Sequence, residues 1–401
     1  MMSYSTIHPA YSIPFSDLIK GLEEEVDNHN VNKRTLVLGD EDNPKVLTQY
    51  TYTQICTYNA AWNLYTQVAR GIIVDHERIV ALPFPKFFNL SENKTIIPDL
   101  PFKCYEKVDG SLIIVFHYDG EWHTATKGSF NSDQAVWADN YLRDRLWQHI
   151  DFEIDRPLDT NKTYLFEAIY PQNKIVVNYG NTENLVLLGV YDVNTGLELD
   201  IETYKYIFDT AISYNFHDMD AIITKCSTLP KDQEGFVIRW DDGTRGKVKG
   251  DEYCRVHKLI SNVTPLAIWE MMLHGDNLDF VRKELPEEFL VDFDNIVTLI
   301  NHKILDTYQK VQWAAYDYLS LTDKDLGLIR HTLDADIRKF IFPYRKNNGQ
   351  FIGKMREGIY RLHRPTANRL EGYELSYEMK NFCNDGFMYP ENRVLLGDML
   401  L

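Results

Sequence analysis

Short apolar runs, broken by Asn, Asp and Gly, dominate the first part of the chain. Arg70–Val74, Leu112–Tyr118, Tyr164–Ile169, Lys174–Tyr179, Leu185–Tyr191 and Gly235–Trp240 each read as a strand, spaced as in antiparallel sheets. Between them, Asp133–Ile150 reads as a helix, with Val136, Trp137, Leu142, Leu146 and Ile150 on one face. The period changes near Ser261. Thr264-Pro265 pairs a capping hydroxyl with proline at the first helical position, and Gly275 is a natural stop. Phe289, Phe293, Ile296, Ile300, Ile304, Tyr308 and Val311 then recur every three or four residues, predicting a long amphipathic helix after Pro286. Further helical patterns follow Thr322 and Thr332. The expected architecture is α+β: an N-terminal domain, 1–258, of antiparallel sheets with flanking helices, and a mostly α-helical domain, 259–401.

Composition narrows the class without naming a chemistry. The 401 residues are 44% hydrophobic and 25% charged, so the chain can bury a core and is not disordered. Five scattered cysteines with no Cys-x-x-Cys pair argue for a reducing compartment and against a structural zinc site. Residues Met1–Pro14 lack a signal-peptide pattern, and no apolar run approaches a membrane span. A cytoplasmic protein is expected. The net charge of −17 disfavours a nucleic-acid partner globally. Arg338–Arg369 is the exception, with nine basic residues and the single acid Glu357. Phe340, Phe342, Tyr344, Phe351 and Tyr360 are interleaved there, a pattern that suits phosphates and unpaired bases.

The most informative stretch is Lys107-Val108-Asp109-Gly110-Ser111, between the apolar runs Phe102–Glu106 and Leu112–Phe116. A lysine so placed can lose water, and a desolvated lysine can become a nucleophile. Asp109 and Gly110 suit the turn that aims it. Further along lie Thr126-Lys127-Gly128-Ser129, Phe166-Glu167-Ala168, Asn173-Lys174 to Tyr179, Glu234-Gly235-Phe236 and Lys247-Val248-Lys249-Gly250. Upstream are Arg70-Gly71 and Lys86-Phe87-Phe88-Asn89. Lys247 and Lys249 alternate across one residue, so a strand there presents both cations on one face, toward a phosphate and Lys107 together.

Taken in order, these motifs resemble the bacteriophage RNA ligase 1 family of tRNA-repair ligases, over roughly residues 35–255. That family belongs to the covalent nucleotidyltransferases, whose attacking lysine lies in Lys-x-Asp-Gly. The resemblance implies a nucleotidyltransferase domain, then a helical domain that selects RNA. It implies that Lys107 attacks the α-phosphate of ATP, forms lysyl-AMP and passes AMP to an RNA 5′-phosphate, which a 3′-hydroxyl then seals. Lys247, Lys249 and Glu234 join Lys107 in catalysis. Arg70, Lys86 and Lys127 suit the β- and γ-phosphates or the RNA 5′-phosphate. Glu167 suits the ribose, and Glu234 suits magnesium, through water. Phe88 or Tyr179 would stack on adenine. Glu106, next to the nucleophile, joins the nucleotide-binding set with Asp109 and Gly110.

The implied cofactors are ATP and Mg2+, and the implied substrate is nicked tRNA or single-stranded RNA ends. The sequence has no Gly-x-x-x-x-Gly-Lys-Ser/Thr loop and no Asp-x-Asp-Gly-Thr stretch, so a separate end-healing kinase and phosphatase is expected upstream, in a host cytoplasm if the gene is a phage's. A GTP-dependent capping-type guanylyltransferase and a catalytically inactive RNA-binding relative remain as alternatives.

Overall fold

The computed structural model describes residues 6–39, 44–92, 95–144, 158–366, 368–376 and 379–380. The chain divides into two compact units, Met1–Cys254 and Arg255–Leu401.

Three sheets build the first unit. β1 (Val31–Leu38), β2 (Lys45–Tyr52), β3 (Arg70–Val74) and β4 (Ile79–Ala81) form an antiparallel meander. Its helices are α1 (Phe15–Asp27), α2 (Gln54–Tyr58) and α3 (Leu64–Val68). Two further sheets draw on β5 (Phe88–Asn89), β6 (Phe102–Glu106), β7 (Ser111–Tyr118), β8 (Glu121–Thr126), β9 (Lys162–Ile169), β10 (Asn184–Asp192), β11 (Glu198–Leu199), β12 (Ser213–Tyr214), β13 (Gly235–Trp240) and β14 (Arg245–Lys249). The second sheet has the order β11-β10-β9-β7-β8, all antiparallel. The third has the order β12-β6-β13-β14-β5, antiparallel except where β5 runs parallel to β14.

The apolar run in β7 is continuous because both its faces are covered. Ile114 and Phe116 pack into the core shared with the first sheet, through Leu47, Ile72 and Leu82. Ile113 and Val115 point the other way, toward Phe166, Leu187 and α4 (Asp133–Leu142). A strand buried on both sides loses the alternation of a half-exposed one. The third sheet packs on α5 (Met219–Ser227) through Ile222, Cys226, Phe236 and Ile238.

Two local expectations are corrected in this unit. Lys174–Tyr179 is not a strand: the amides of Val176 and Val177 donate to the Asp109 carboxylate and not to a ladder. In α4 the buried side is Gln134, Ala135, Ala138 and Leu142, while Val136 is half exposed. Leu146 and Ile150, expected on the same helix, lie outside the described residues.

The second unit is helical. α6 (Asp251–Ser261) runs into it, followed by α7 (Pro265–His274), α8 (Leu278–Glu284), α9 (Leu290–Asp317), α10 (Asp323–Ile329), α11 (Ala335–Lys346) and α12 (Gly353–Leu362). Thr264 caps α7 by accepting from the Ala267 amide, and Gly275 ends it at φ 80°. α9 buries Phe293, Ile296, Ile300, Ile304 and Val311, the stripe predicted from spacing.

The basic segment behaves otherwise than its composition suggests. Phe340 and Tyr360 are buried, and Phe342, Tyr344 and Phe351 are half-buried, so these rings belong to the unit's own packing. Much of the charge is structural too. Arg356 donates to the Met272 and Leu273 carbonyls at the end of α7, and Arg345 to Asp323 and the Tyr318 carbonyl. Among the described residues no helix is long and apolar enough to cross a membrane.

Candidate active site

Lys107 leaves the end of β6 on a turn held from four directions. Its amide donates to the Gly235 carbonyl at 2.9 Å. The Asp109 amide donates to the Tyr179 hydroxyl at 3.0 Å. The Asp109 carboxylate, 5% exposed, accepts from Val176 and Val177 at 3.0 and 2.9 Å and from the Tyr253 hydroxyl at 2.9 Å. Gly110 is required because a methyl group there would lie 2.4 Å from the Ala168 carbonyl oxygen. Asp109 is therefore an anchor as well as a turn former: it ties residues 176–177 and Tyr253 to the lysine's turn. Burial, then Glu234, push its carboxyl up to about 6.

The Lys107 ammonium donates to Glu234 Oε2 at 2.6 Å, and Lys249 Nζ lies 2.8 Å from Glu234 Oε1. Glu234 is 3% exposed and sits just before β13, where Gly235 takes φ 146°. Burial opposes its charge, but Lys107 and Lys249 outweigh that and hold it below the usual carboxylate range. Burial likewise opposes the Lys107 ammonium, but Glu234, Glu167 and Asp109 outweigh it and hold the amine above its ordinary value. Without substrate Lys107 is thus a held ammonium.

Lys247 is the cation whose proton is loosened. Burial, with Lys107, Lys249, Lys86 and Arg70 around it, brings it down to about 7. The expectation that neighbouring cations free Lys107 of its proton is corrected here: the carboxylates beside Lys107 outweigh them, and their effect shows at Lys247.

Lys86 lies 5.2, 5.1 and 5.3 Å from the rings of Tyr52, Trp62 and Phe88, an aromatic cage whose burial lowers its basicity. Phe88 is buried in that cage, and Tyr179 uses its hydroxyl on the lysine's turn while its ring packs beside Val108 and Ile169. Phe88 is thus enclosed by the cage, while Tyr179 keeps part of its ring exposed beside the lysine's turn. Arg70 stacks over Phe87 at 5.0 Å, and its Nη1 is buried with no hydrogen-bond partner among the described residues.

Lys127 is brought to the same place: a methyl on Gly71, beside Arg70, would lie 2.9 Å from Lys127 Cα, and Lys127 bears on the charge of Lys86. Glu167 on β9 pairs with Leu112 of β7, facing the Gly110 turn. Glu106 is half-buried at the end of β6, and burial raises its carboxyl. Sequence reasoning missed Trp62, Tyr52 and Tyr253. Tyr253 carries a signal, four residues after Lys249 at the start of a helix. Trp62 carries none.

The fold thus gathers Arg70, Lys86, Lys107 and Lys249 around Lys247, with Lys127 close enough to bear on Lys86, an arrangement of cations that can hold a polyphosphate.

Comparison with known proteins agrees with this chemistry. Residues 68–255 match a family model described as RNA ligase. A Thermovibrio ammonificans protein, provisionally described as an RNA ligase, is 30% identical over 80% of this chain and 89% of its own length. An RNA ligase of Rhodothermus phage RM378 is 20% identical over 66% of this chain and 76% of its own. A protein of Autographa californica nuclear polyhedrosis virus, provisionally described as a bifunctional polynucleotide kinase/RNA ligase, is 27% identical over 53% of this chain. That match spans 34% of the viral protein's length. Among solved structures, an archaeal ATP-dependent RNA ligase overlays with a TM-score of 0.42 at 12% identity, over 72% of this chain and 83% of that one.

Proposed function

This chain belongs to the RNA ligase family, and we propose that it is an ATP-dependent RNA ligase that joins 5′-phosphate to 3′-hydroxyl RNA ends through a covalent adenylyl-lysine. The observation that carries the reading is the Lys107–Glu234–Lys249 bridge beside Lys247, half-buried lysines gathered on a buried carboxylate. Lys107 Nζ attacks the α-phosphorus of ATP and pyrophosphate leaves. Lys247 and Lys249, on one strand face, neutralise charge growing on the phosphoryl oxygens. Arg70, Lys86 and Lys127 hold the outer phosphates. AMP then moves to the RNA 5′-phosphate, and attack by the 3′-hydroxyl releases it.

Lys107 must lose a proton before attack, and Glu234 Oε2, which accepts from the ammonium with 2.6 Å between N and O, is placed to take it. Magnesium fits this donor set: Glu234 is a buried carboxylate whose two oxygens face Lys107 and Lys249, the hard oxygen donor such an ion takes. Glu234 would hold the ion, through water. When bound, magnesium would supply positive charge to the phosphates.

The substrate we infer is broken RNA, such as a nicked tRNA, healed beforehand by a separate kinase and phosphatase. The bifunctional kinase/ligase description of the viral relative supports an end-healing activity alongside ligation. The test is incubation with α-labelled ATP or GTP and magnesium, followed by denaturing electrophoresis, with Lys107→Ala alongside. Label from ATP that the variant lacks supports the ligase. Label from GTP would make it a capping-type enzyme, and no label from either would leave a binding protein.

A further inference from the structure

β1 is the open edge of the first sheet and β8 the open edge of the second. A cavity of about 620 Å³ lies where Lys33–Leu36 of β1 and Trp122–Thr124 of β8 approach each other, closed by residues 129–131 and by α4. Three cations line it, Lys33, Arg34 and Arg143, against one acid, Asp139. That balance is positive in a chain of net charge −17. Lys33 is paired with Glu23 at 2.6 Å and Arg143 with Asp139 at 2.7 Å. Arg34 is exposed and makes no hydrogen bond or ion pair among the described residues. Trp122 and Phe130 contribute aromatic surface.

The cavity is one turn from the phosphate-binding cluster. The Thr126 amide donates to the Ser129 carbonyl at 2.8 Å, and Gln49 Nε2 donates to the Thr126 carbonyl at 2.7 Å, fixing that turn on β2. Lys127 lies on its side toward Gly71, and residues 129–131 line the cavity. A polymer whose terminal phosphate reaches Lys127 therefore has a positively charged path leading away from it.

We propose that this crevice between two sheet edges is the track for a single RNA strand adjoining the end being sealed, with Arg34 on its phosphates. The proposal rests on the ligase reading. Cations and aromatic edges suit an unpaired strand, whose phosphates and exposed bases both find partners there.

The test uses the full chain, Arg34→Glu and Lys33→Glu/Arg34→Glu. Binding of a twelve-nucleotide 5′-phosphorylated RNA, single-stranded or in a duplex, is followed by fluorescence anisotropy from low to high KCl. Arg34→Glu should weaken single-strand binding about tenfold, and the double variant should lower the salt slope by roughly 1.4, for two phosphate contacts. Labelling of Lys107 by ATP should be unchanged, which also certifies the fold. Parent-like affinity and slope in both variants, with the parent still sealing RNA, would overturn the track and leave the ligase standing. Equal loss of duplex and single-strand binding would overturn it as well. A parent that takes no label from ATP would instead remove the ligase reading beneath it.

Discussion

Replacing Asp109 by asparagine should change how stability depends on pH, by an amount the structure sets. The Asp109 carboxyl has an ordinary value of 3.8 and is pushed up to about 6, by burial first and Glu234 second, against the Val177 and Val176 amides and Lys107. At 1.36 kcal/mol per pH unit, that difference is worth about 3 kcal/mol. A folded-state value above the unfolded one means that the native state holds the proton longer. The stabilisation is therefore present below pH 4 and is lost as pH rises through about 6. The asparagine side chain would have no such dependence, yet its amide can accept from both valine amides and donate to Tyr253. The assay is denaturant unfolding of parent and Asp109→Asn at pH 4, 5, 6 and 7. Asp109→Asn minus parent should climb by about 2.4 kcal/mol from pH 4 to pH 7, since part of the difference is already lost at pH 4. A constant difference would refute the reasoning. Asp109→Ala is the control for the anchor. It strands two backbone donors, at about 1–3 kcal/mol each, and frees the turn that aims Lys107. Adenylyl-lysine formation should fall about a hundredfold in Asp109→Ala and less than about tenfold in Asp109→Asn.

Three further outcomes follow from the same geometry. Lys107→Arg keeps a cation for Glu234 and should melt like the parent, but it should take no label from ATP on a denaturing gel, because a guanidinium is not a nucleophile at working pH. Lys247→Met should raise the melting temperature most below pH 7. There the folded state carries a crowded ammonium, brought down to about 7, whereas from pH 7 upward the parent sheds that proton and catches up. ATP affinity, read by calorimetry, should fall in the same variant. Gly235→Ala would place a methyl 2.1 Å from the Val248 carbonyl oxygen at φ 146°, and should lose at least about 3 kcal/mol in a circular-dichroism melt together with the labelling of Lys107.

Much of the site was legible because its chemistry is strand-borne. A period of two put Lys247 and Lys249 on one face, and β14 presents them there. The apolar runs flanking Lys107 became β6 and β7, and the Thr264-Pro265 and Gly275 signals bounded α7. What could not be read was which groups neutralise which. The Val176 and Val177 run has the composition of a strand, and only the position of Asp109, 67 residues earlier, diverts its amides. The aromatics of 338–369 have the composition of a stacking surface, but helical spacing turns Phe340 and Tyr360 inward. Trp62 is read as part of the site only when the chain brings Lys86 over its ring. Each failure is a contact between segments far apart in sequence, to which local pattern is blind.

The three cations on one face of β14 explain why such a site can exist in a folded protein. Arg245, at one end, is paired with the buried Glu198, which also holds Arg239 at 3.0 Å. Lys249, at the other end, is paired with Glu234. Lys247 between them has cations on every side and lies 5.8 Å from the ring of Phe87. A strand with all three compensated would be more stable and would have no charge to offer a phosphate. A strand with none compensated would bring three desolvation penalties into one sheet. Compensating the ends and leaving the centre confines the penalty to one side chain, and that side chain can shed its proton near pH 7. On the proposed reading a triphosphate would supply the missing negative charge, so the lysine that costs the fold stability would gain it back on binding. The loosened proton on Lys247 and the held proton on Lys107 are two sides of one arrangement: Glu234 stands beside the nucleophile and away from the centre of the strand. Anything that draws Glu234 from Lys107 exposes the amine to the phosphate that Lys247 has already attracted.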